Sequence, residues 1–299
     1  SYYLPRMINK IIHHLINEGL LIEGVPVSAN FFYFRNTNIQ LFSGDAKFFH
    51  IKIGDGYPLA KEFEAVNQAW RLYPEFAPKP ISLIEIDGIN ISILEGVKHE
   101  AVTTADLRSV PSGIFDGIRS FFAQTRTAIH TSNTDARRNQ VLSETIERFK
   151  NQPFGKHLER LLENENPEFL LALPRVAQHG DFAGANLGQR DGKLKCFDWE
   201  DFGYVDFAGF DLCILIMWMC GFSADVLEKN LHGAEPTAEK KLLRSYAETF
   251  GLDQNSLRRL LPIFAGIFLH MKYEFDYGPN IKSKILDFMN RYFQLFENR

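Results

Sequence analysis

His179-Gly180-Asp181-Phe182-Ala183-Gly184-Ala185-Asn186, followed twelve residues after Asn186 by Asp198-Trp199-Glu200-Asp201, decides how this chain of 299 residues is read. Taken singly, Asp, Asn and Gly mark turns. At this spacing they form two polar loops flanking a run with strand character, Lys193 to Phe197. Loop, strand and loop bring both polar sets toward one end of a short hairpin. That arrangement suits phosphoryl transfer, in which a protein orients an acceptor hydroxyl and holds metal ions that neutralise charge on the β- and γ-phosphates. One carboxylate serves the acceptor's proton. A carboxamide and a second carboxylate offer the oxygen ligands that Mg²⁺ takes.

Upstream of these loops the chain changes character. Residues Arg6 to Glu18 repeat apolar positions at helical spacing and stop at Gly19. Three strand-like runs follow, Phe31 to Arg35, Ile39 to Phe42 and Lys47 to Ile53, with Asn36-Thr37-Asn38 as a tight polar turn between the first two. Pro58 to Leu72 reads as a helix with Leu59, Phe63, Val66 and Trp70 on one face. Ile81 to Ile86 and Ile89 to Leu94 form a hairpin through Asp87-Gly88. Beyond Gly96 the pattern is mainly helical, with helices expected over Ile114 to His130, Glu144 to Lys150, Lys156 to Asn164, Glu239 to Thr249, Ser256 to Met271 and Lys282 to Phe296. The expectation is an α+β chain with a β-rich part, 1–95, and a helical part, 96–299, and with a ligand cleft between them.

The two polar loops resemble the catalytic and metal-binding loops of the aminoglycoside phosphotransferase and choline kinase group, which carry His-Gly-Asp-x-x-x-x-Asn and Asp-Trp-Glu. Asp206-Phe207-Ala208-Gly209-Phe210-Asp211-Leu212 resembles the group's downstream stretch ending in Asp-Leu. The resemblance implies a protein-kinase-like two-lobed fold and transfer of the γ-phosphoryl group of ATP or GTP, with Mg²⁺, to a hydroxyl of a small molecule. It implies Asp181 as base or hydroxyl-orienting group, Asn186 and Asp198 as Mg²⁺ ligands, and Glu200 reaching the metal directly or through water. His179 braces the loop, and Asp211 accepts hydrogen bonds from the loop backbone. That last role suits a carboxylate in an apolar helix, where an unpaired charge would be costly.

The first lobe of such a fold supplies a lysine for the phosphates and a glutamate to hold it. Lys52, near the end of an apolar run and on one face with Phe48 and His50, is the candidate. Glu62 and Glu64 lie about 200° apart around a helix, so only one can face it. Glu62 shares its side with Ala65, Val66 and Ala69 and is chosen. Glu64 falls among Asn67, Gln68 and Arg71. Asn36 and Thr37 stand where the nucleotide loop is expected, and the backbone at Glu95 where the adenine is expected. There is no Gly-x-x-x-x-Gly-Lys-Ser/Thr run and no Gly-rich kinase loop. His130 reads as packing or capping.

Net charge is −4 and no strongly basic run occurs, which argues against a nucleic-acid partner. The apolar stretch Phe207 to Phe222 is too short to span a bilayer and contains Asp211, so no membrane is expected. Three cysteines without metal-ligand spacing point to a reducing cytoplasm. A protein kinase is disfavoured because Gly180 replaces the Arg that precedes the catalytic Asp there, and no Ala-Pro-Glu follows the second loop. Asp225, Glu228, Glu274, Asp276 and Tyr277 are candidates for a cationic acceptor. The competing reading is a pseudokinase-type scaffold that binds nucleotide, or nothing, and has no transfer activity.

Overall fold

Alternation along three strands builds the first core. Ile39 and Leu41, then Phe49, Ile51 and Ile53, then Ile91 and Ile93 are buried at every second position, and Met7, Ile11 and Leu15 close over them at helical spacing. The computed structural model describes residues 3–34, 36–54, 59–97, 99–108, 113–126, 135–162, 167–274 and 279–297. It divides into two compact units, Ser1–Glu100 and Ala101–Arg299.

In the first unit, α1 (Tyr3–Asn17) precedes β1 (Val27–Phe34), β2 (Asn36–Ser43), β3 (Phe48–Gly54), α2 (Leu59–Leu72), β4 (Pro80–Ile86) and β5 (Ile89–Glu95). The five strands form one sheet in the order β1-β2-β3-β5-β4, with antiparallel pairing at every step. The turn expected at Asn36-Thr37-Asn38 is instead the start of β2. Thr37 pairs with Tyr33 and Ile53, and Asn38 with Phe32 and Lys52. Polar composition suggests a turn, but Asn38 lies on the strand face that carries His50, Lys52 and Ser92, and Thr37 on the opposite face with Ile53. Arg35, Pro58 and His130 lie outside the described residues.

The chain passes between units at β6 (Glu100–Ala101). The second unit holds α3 (Thr104–Arg108), α4 (Gly113–Thr125), α5 (Asp135–Phe149), α6 (Gly155–Arg160) and α7 (Pro167–Ala172). The hairpin β7 (Leu187–Arg190) and β8 (Lys193–Cys196) follows. Then come α8 (Phe210–Met219), α9 (Ala224–His232), α10 (Ala238–Phe250), α11 (Gln254–Glu274) and α12 (Pro279–Glu297). Helix α11 is the hub. Leu260, Leu261, Ile263, Phe264, Ala265, Ile267, Phe268, Leu269 and Met271 are all buried, the signature of a helix enclosed on all sides. Helix α5 begins nine residues before the expected Glu144. Its first turns read as polar, yet Arg138 is buried there. Its guanidinium donates to Asp206 Oδ1 at 2.7 Å and to the carbonyls of Leu171, Leu173, Pro174 and Asp206. A buried guanidinium so fully paired fixes the segment that leads into the polar loops.

The fold is protein-kinase-like, an antiparallel sheet unit followed by a larger helical one. Among the described residues no single helix is long and apolar enough to cross a membrane. Cys196, Cys213 and Cys220 are free and buried.

Candidate active site

Backbone geometry sets the first polar loop. Gly180 has φ +92°, and a Cβ there would lie 2.6 Å from both the Cβ and the carbonyl oxygen of Asp201, so only glycine fits. A Cβ on Gly184 would meet the Trp218 ring at 2.3 Å. Phe182, between them, is fully buried and stacks on Phe121 with ring centroids 4.8 Å apart. Burying such a ring contributes about 1.5–3 kcal/mol, enough to pin the loop that carries Asp181.

Asp211, at the start of α8, supplies the loop's acceptors. Its Oδ2 accepts from the His179 N–H at 2.7 Å and its Oδ1 from the Gly180 N–H at 3.0 Å. The Asp211 N–H in turn donates to Gln178 Oε1 at 3.0 Å. His179 is fully buried, with its ring 4.4 Å from that of Trp199. Nδ1 lies 3.3 Å from the Asp181 N–H, so Nε2 carries the proton and donates to the Phe197 carbonyl at 2.8 Å. Burial holds its pKa below the usual value, against the pull of Asp181 and the Phe197 carbonyl, and favours that neutral tautomer.

The second loop is tied to the first through the hairpin. Leu187 pairs with Cys196, and the Phe197 N–H donates to the Asn186 carbonyl at 2.8 Å, which sets Asn186 beside the residue preceding Asp198. Asn186 Nδ2 donates to the Asp181 carbonyl at 2.9 Å. That bond commits the amide nitrogen and turns Oδ1 the other way, available as an oxygen ligand. Asp198 sits at φ 60°, ψ 62°, a left-handed conformation rare outside Gly, Asn and Asp. Asp198 and Glu200 are both half-buried. One carboxamide oxygen and two carboxylates make a hard, all-oxygen donor set, which fits Mg²⁺ and not a soft metal.

In the first unit the Lys52 ammonium pairs with Glu62, which is 6% exposed. Lys52 is in register with Asn38 on one side and Ser92 on the other, and both are buried polar residues. Glu64 is exposed and accepts from Gln68 Nε2 at 3.1 Å. Thr37 is half-buried in β2. Glu95 ends β5, exposed, with its N–H on the Lys79 carbonyl at 2.8 Å. Of the acceptor candidates, Asp225 is exposed and paired with Arg291 at 2.8 Å. Glu228 lines a cavity of about 260 Å³ with Leu227, Leu231, Arg258 and Tyr292. That cavity meets α11 at Arg258, about 20 Å along the helix from the residues near Asp181. Asp276, Tyr277 and the Glu274 side chain lie outside what is described.

Two residues that sequence reasoning passed over stand next to Asp181. Lys272, near the end of α11, places Nζ 2.9 Å from Asp181 Oδ2 and 3.4 Å from Asp201 Oδ2. Burial pushes Asp201 up to about 7, opposed by Lys272 and reinforced by Asp181, Glu200 and Asp198. Burial alone would draw Lys272 down, but Asp181 and Asp201 outweigh it and the net shift is upward.

Burial likewise raises Asp211 from 3.8 to about 7, against its two N–H donors. The folded state therefore holds more proton at this group between about pH 4 and pH 7. The stability it contributes is greatest below that window and is lost as pH rises through it. Relative to Asp211→Asn, which cannot titrate, the parent should lose about 2–3 kcal/mol between pH 5 and pH 8. Denaturant unfolding of both proteins at the two pH values measures this. A parent stability that, taken relative to Asp211→Asn, stays constant or rises with pH contradicts it.

The sequence pattern of the APH phosphotransferase enzyme family matches residues 94–247, just over half of the chain. No curated protein matches it in sequence. Among solved structures it is similar to the choline kinase LicA from Streptococcus pneumoniae, at 15% identity and TM-score 0.63, covering 98% of this chain and 100% of that one. It is similar to an ethanolamine kinase from Plasmodium vivax at 11% identity and TM-score 0.54, covering 92% and 82%. A streptomycin–ATP–APH(2")-IIa ternary complex matches at 13% identity and TM-score 0.55, covering 95% of both chains. At these identities the likeness is one of fold.

Proposed function

The chain belongs to the APH phosphotransferase enzyme family, and from that premise we propose that it moves the γ-phosphoryl group of ATP or GTP to a hydroxyl of a small molecule such as an aminoglycoside, an amino alcohol or a sugar. Residues 1–95 serve the nucleotide: Lys52, held by Glu62, faces its phosphates, Asn36 and Thr37 flank them, and the backbone at Glu95 meets the base. Residues 96–299 serve the reaction. The single observation that carries the reading is the hydrogen-bonded chain Asp211–His179–Phe197–Asn186–Asp181, which fixes both polar loops against one another.

Asp181 accepts the proton of the acceptor hydroxyl as its oxygen bonds to the γ-phosphorus. The bond from that phosphorus to the bridging oxygen breaks, and the nucleoside diphosphate leaves. Asn186, Asp198 and Glu200 would hold Mg²⁺, which when bound neutralises charge on the β- and γ-phosphates. His179 and Asp211 keep the loop in place and touch no substrate. The three free, buried cysteines support a reducing compartment, which we take to be the cytoplasm.

The test is a screen with radiolabelled ATP and GTP against aminoglycosides, amino alcohols and sugars, with Asp181→Ala as control. Label should pass to at least one acceptor class with the parent chain and to none with the variant. Transfer by Asp181→Ala at the parent's rate would contradict the assignment. A parent that binds Mg²⁺–nucleotide yet transfers to no acceptor would favour the scaffold reading.

A further inference from the structure

Lys272 is 1% exposed and follows a buried, mostly apolar run of its helix, Ile263 to Leu269. Its ammonium lies between two carboxylates, 2.9 Å from Asp181 Oδ2 and 3.4 Å from Asp201 Oδ2, and 4.7 Å from the Phe268 ring. Taking an ammonium and carboxylates out of water is expensive, and well-packed apolar residues of similar volume often do as well or better for stability. With Asp181 and Asp201 in place the ammonium pairs them, but stability alone does not explain why the whole group is ionic. The reason lies in which atom it touches, because Asp181 is the carboxylate placed to receive the acceptor's proton.

Resting on the transfer reaction proposed above, we propose that Lys272 is a positioning residue: by holding Asp181 Oδ2 it leaves Oδ1 as the oxygen presented to the acceptor hydroxyl. A carboxylate with both oxygens free can rotate about its Cβ–Cγ bond and share the proton-accepting role between two geometries. A donor fixed on one oxygen removes that freedom. Asp201 holds the ammonium from the other side. It is itself seated by the close approach to Gly180, where no Cβ fits. During transfer the acceptor's proton goes to Oδ1 of Asp181, the new O–P bond forms, and the diphosphate leaves. Asp181 is then neutral, and Asp201 remains as the acceptor facing the ammonium. No unpaired buried cation is created at the step where charge moves, so the protein need not reorganise.

The prediction is read in kcat, in nucleotide KM and in a double-mutant cycle, with radiolabelled ATP and whichever acceptor the screen yields. Lys272→Met should lower kcat by about 10²-fold, the scale of a misplacement of about 1 Å at the reacting centre. Nucleotide KM should stay within about twofold, while the thermal midpoint should fall, because Met leaves the buried Asp201 carboxylate without its cation. Lys272→Arg should restore part of the lost rate. In an Asp181→Asn background, Lys272→Met should cost less than about threefold more, because its effect runs through Asp181.

Three results overturn the role: a Lys272→Met kcat within about threefold of the parent, the same loss with and without Asp181, or a loss that tracks a fall in thermal midpoint and is not rescued by Arg. If Lys272→Met does not fold, Lys272→Arg alone decides: a retained donor should keep part of the parent's rate, and complete loss of transfer with unchanged stability sinks the proposal. Should Asp181→Asn itself leave kcat unaltered, the functional reading falls as well. If Asp181→Asn abolishes transfer and Lys272→Met does not, only the role of Lys272 falls.

Discussion

Asp181→Asn should lower kcat by about 10²–10⁴-fold and leave the apparent affinity for nucleotide within about threefold. The size follows from the contribution of a positioned base, and the selectivity from where the side chain sits. The Asp181 carbonyl accepts from Asn186 Nδ2 and its N–H faces His179 Nδ1, so backbone contacts fix the residue independently of its carboxylate. Asn at this position keeps those bonds and the shape of the loop. On the proposed reading it loses the group that takes the proton, together with one of the two negative charges facing Lys272, and its amide nitrogen would face that ammonium unless the side chain turned its oxygen there. Steady-state kinetics with saturating nucleotide check the prediction. A large rise in nucleotide KM with unchanged kcat would instead mean that Asp181 serves binding.

The second large effect is expected at Asp198. Asp198→Asn should abolish Mg²⁺-dependent transfer, by about 10³-fold or more, because on the proposed reading a bound metal would be the main stabiliser of the transferring group. Asn is the informative replacement. It tolerates the left-handed backbone of this position, whereas Ala would add strain there and confuse loss of ligand with loss of fold. The effect should also appear without catalysis. A ligand present at a hundredfold its Kd stabilises a protein by about 2.7 kcal/mol, so the parent's thermal midpoint should climb with Mg²⁺ and nucleotide together. The variant's midpoint should respond to nucleotide alone and gain nothing from Mg²⁺. A variant that keeps the parent's Mg²⁺-dependent shift would remove Asp198 from the metal site.

Much of this site was legible because its parts are close in sequence and each carries a chemical signature. The two polar loops are separated only by one short hairpin, and Asp211 was noticed as a carboxylate stranded in an apolar helix. The ion pair between Lys52 and Glu62 followed from strand alternation and from the 200° that separates Glu62 and Glu64 on a helix. Lys272 carries a weaker signal than Asp211, since it falls one residue past the helix end expected at Met271, with His270 and Glu274 close by. It lies 91 residues after Asp181, and no local pattern links the two. Asp201 was quoted within the second loop but given no role, since adjacency to Gly180 appears only once the chain is folded. The fold's errors have a common origin. Asn36 to Asn38 and the first turns of α5 are polar by composition, so the first suggests a turn and the second shows no apolar helical stripe. In the folded protein their polar groups are absorbed, Asn38 beside Lys52 on the sheet and Arg138 by Asp206 and four carbonyls.

A crystal structure of the chain with Mg²⁺ and a non-hydrolysable ATP analogue tests the central claim most directly. Mg²⁺ should lie about 2.0–2.1 Å from Asn186 Oδ1 and from a carboxylate oxygen of Asp198. Asp181 Oδ1 should face the γ-phosphate while Oδ2 stays on Lys272. A metal–nucleotide complex bound elsewhere, with neither Asn186 nor Asp198 among the metal's ligands, would contradict the account.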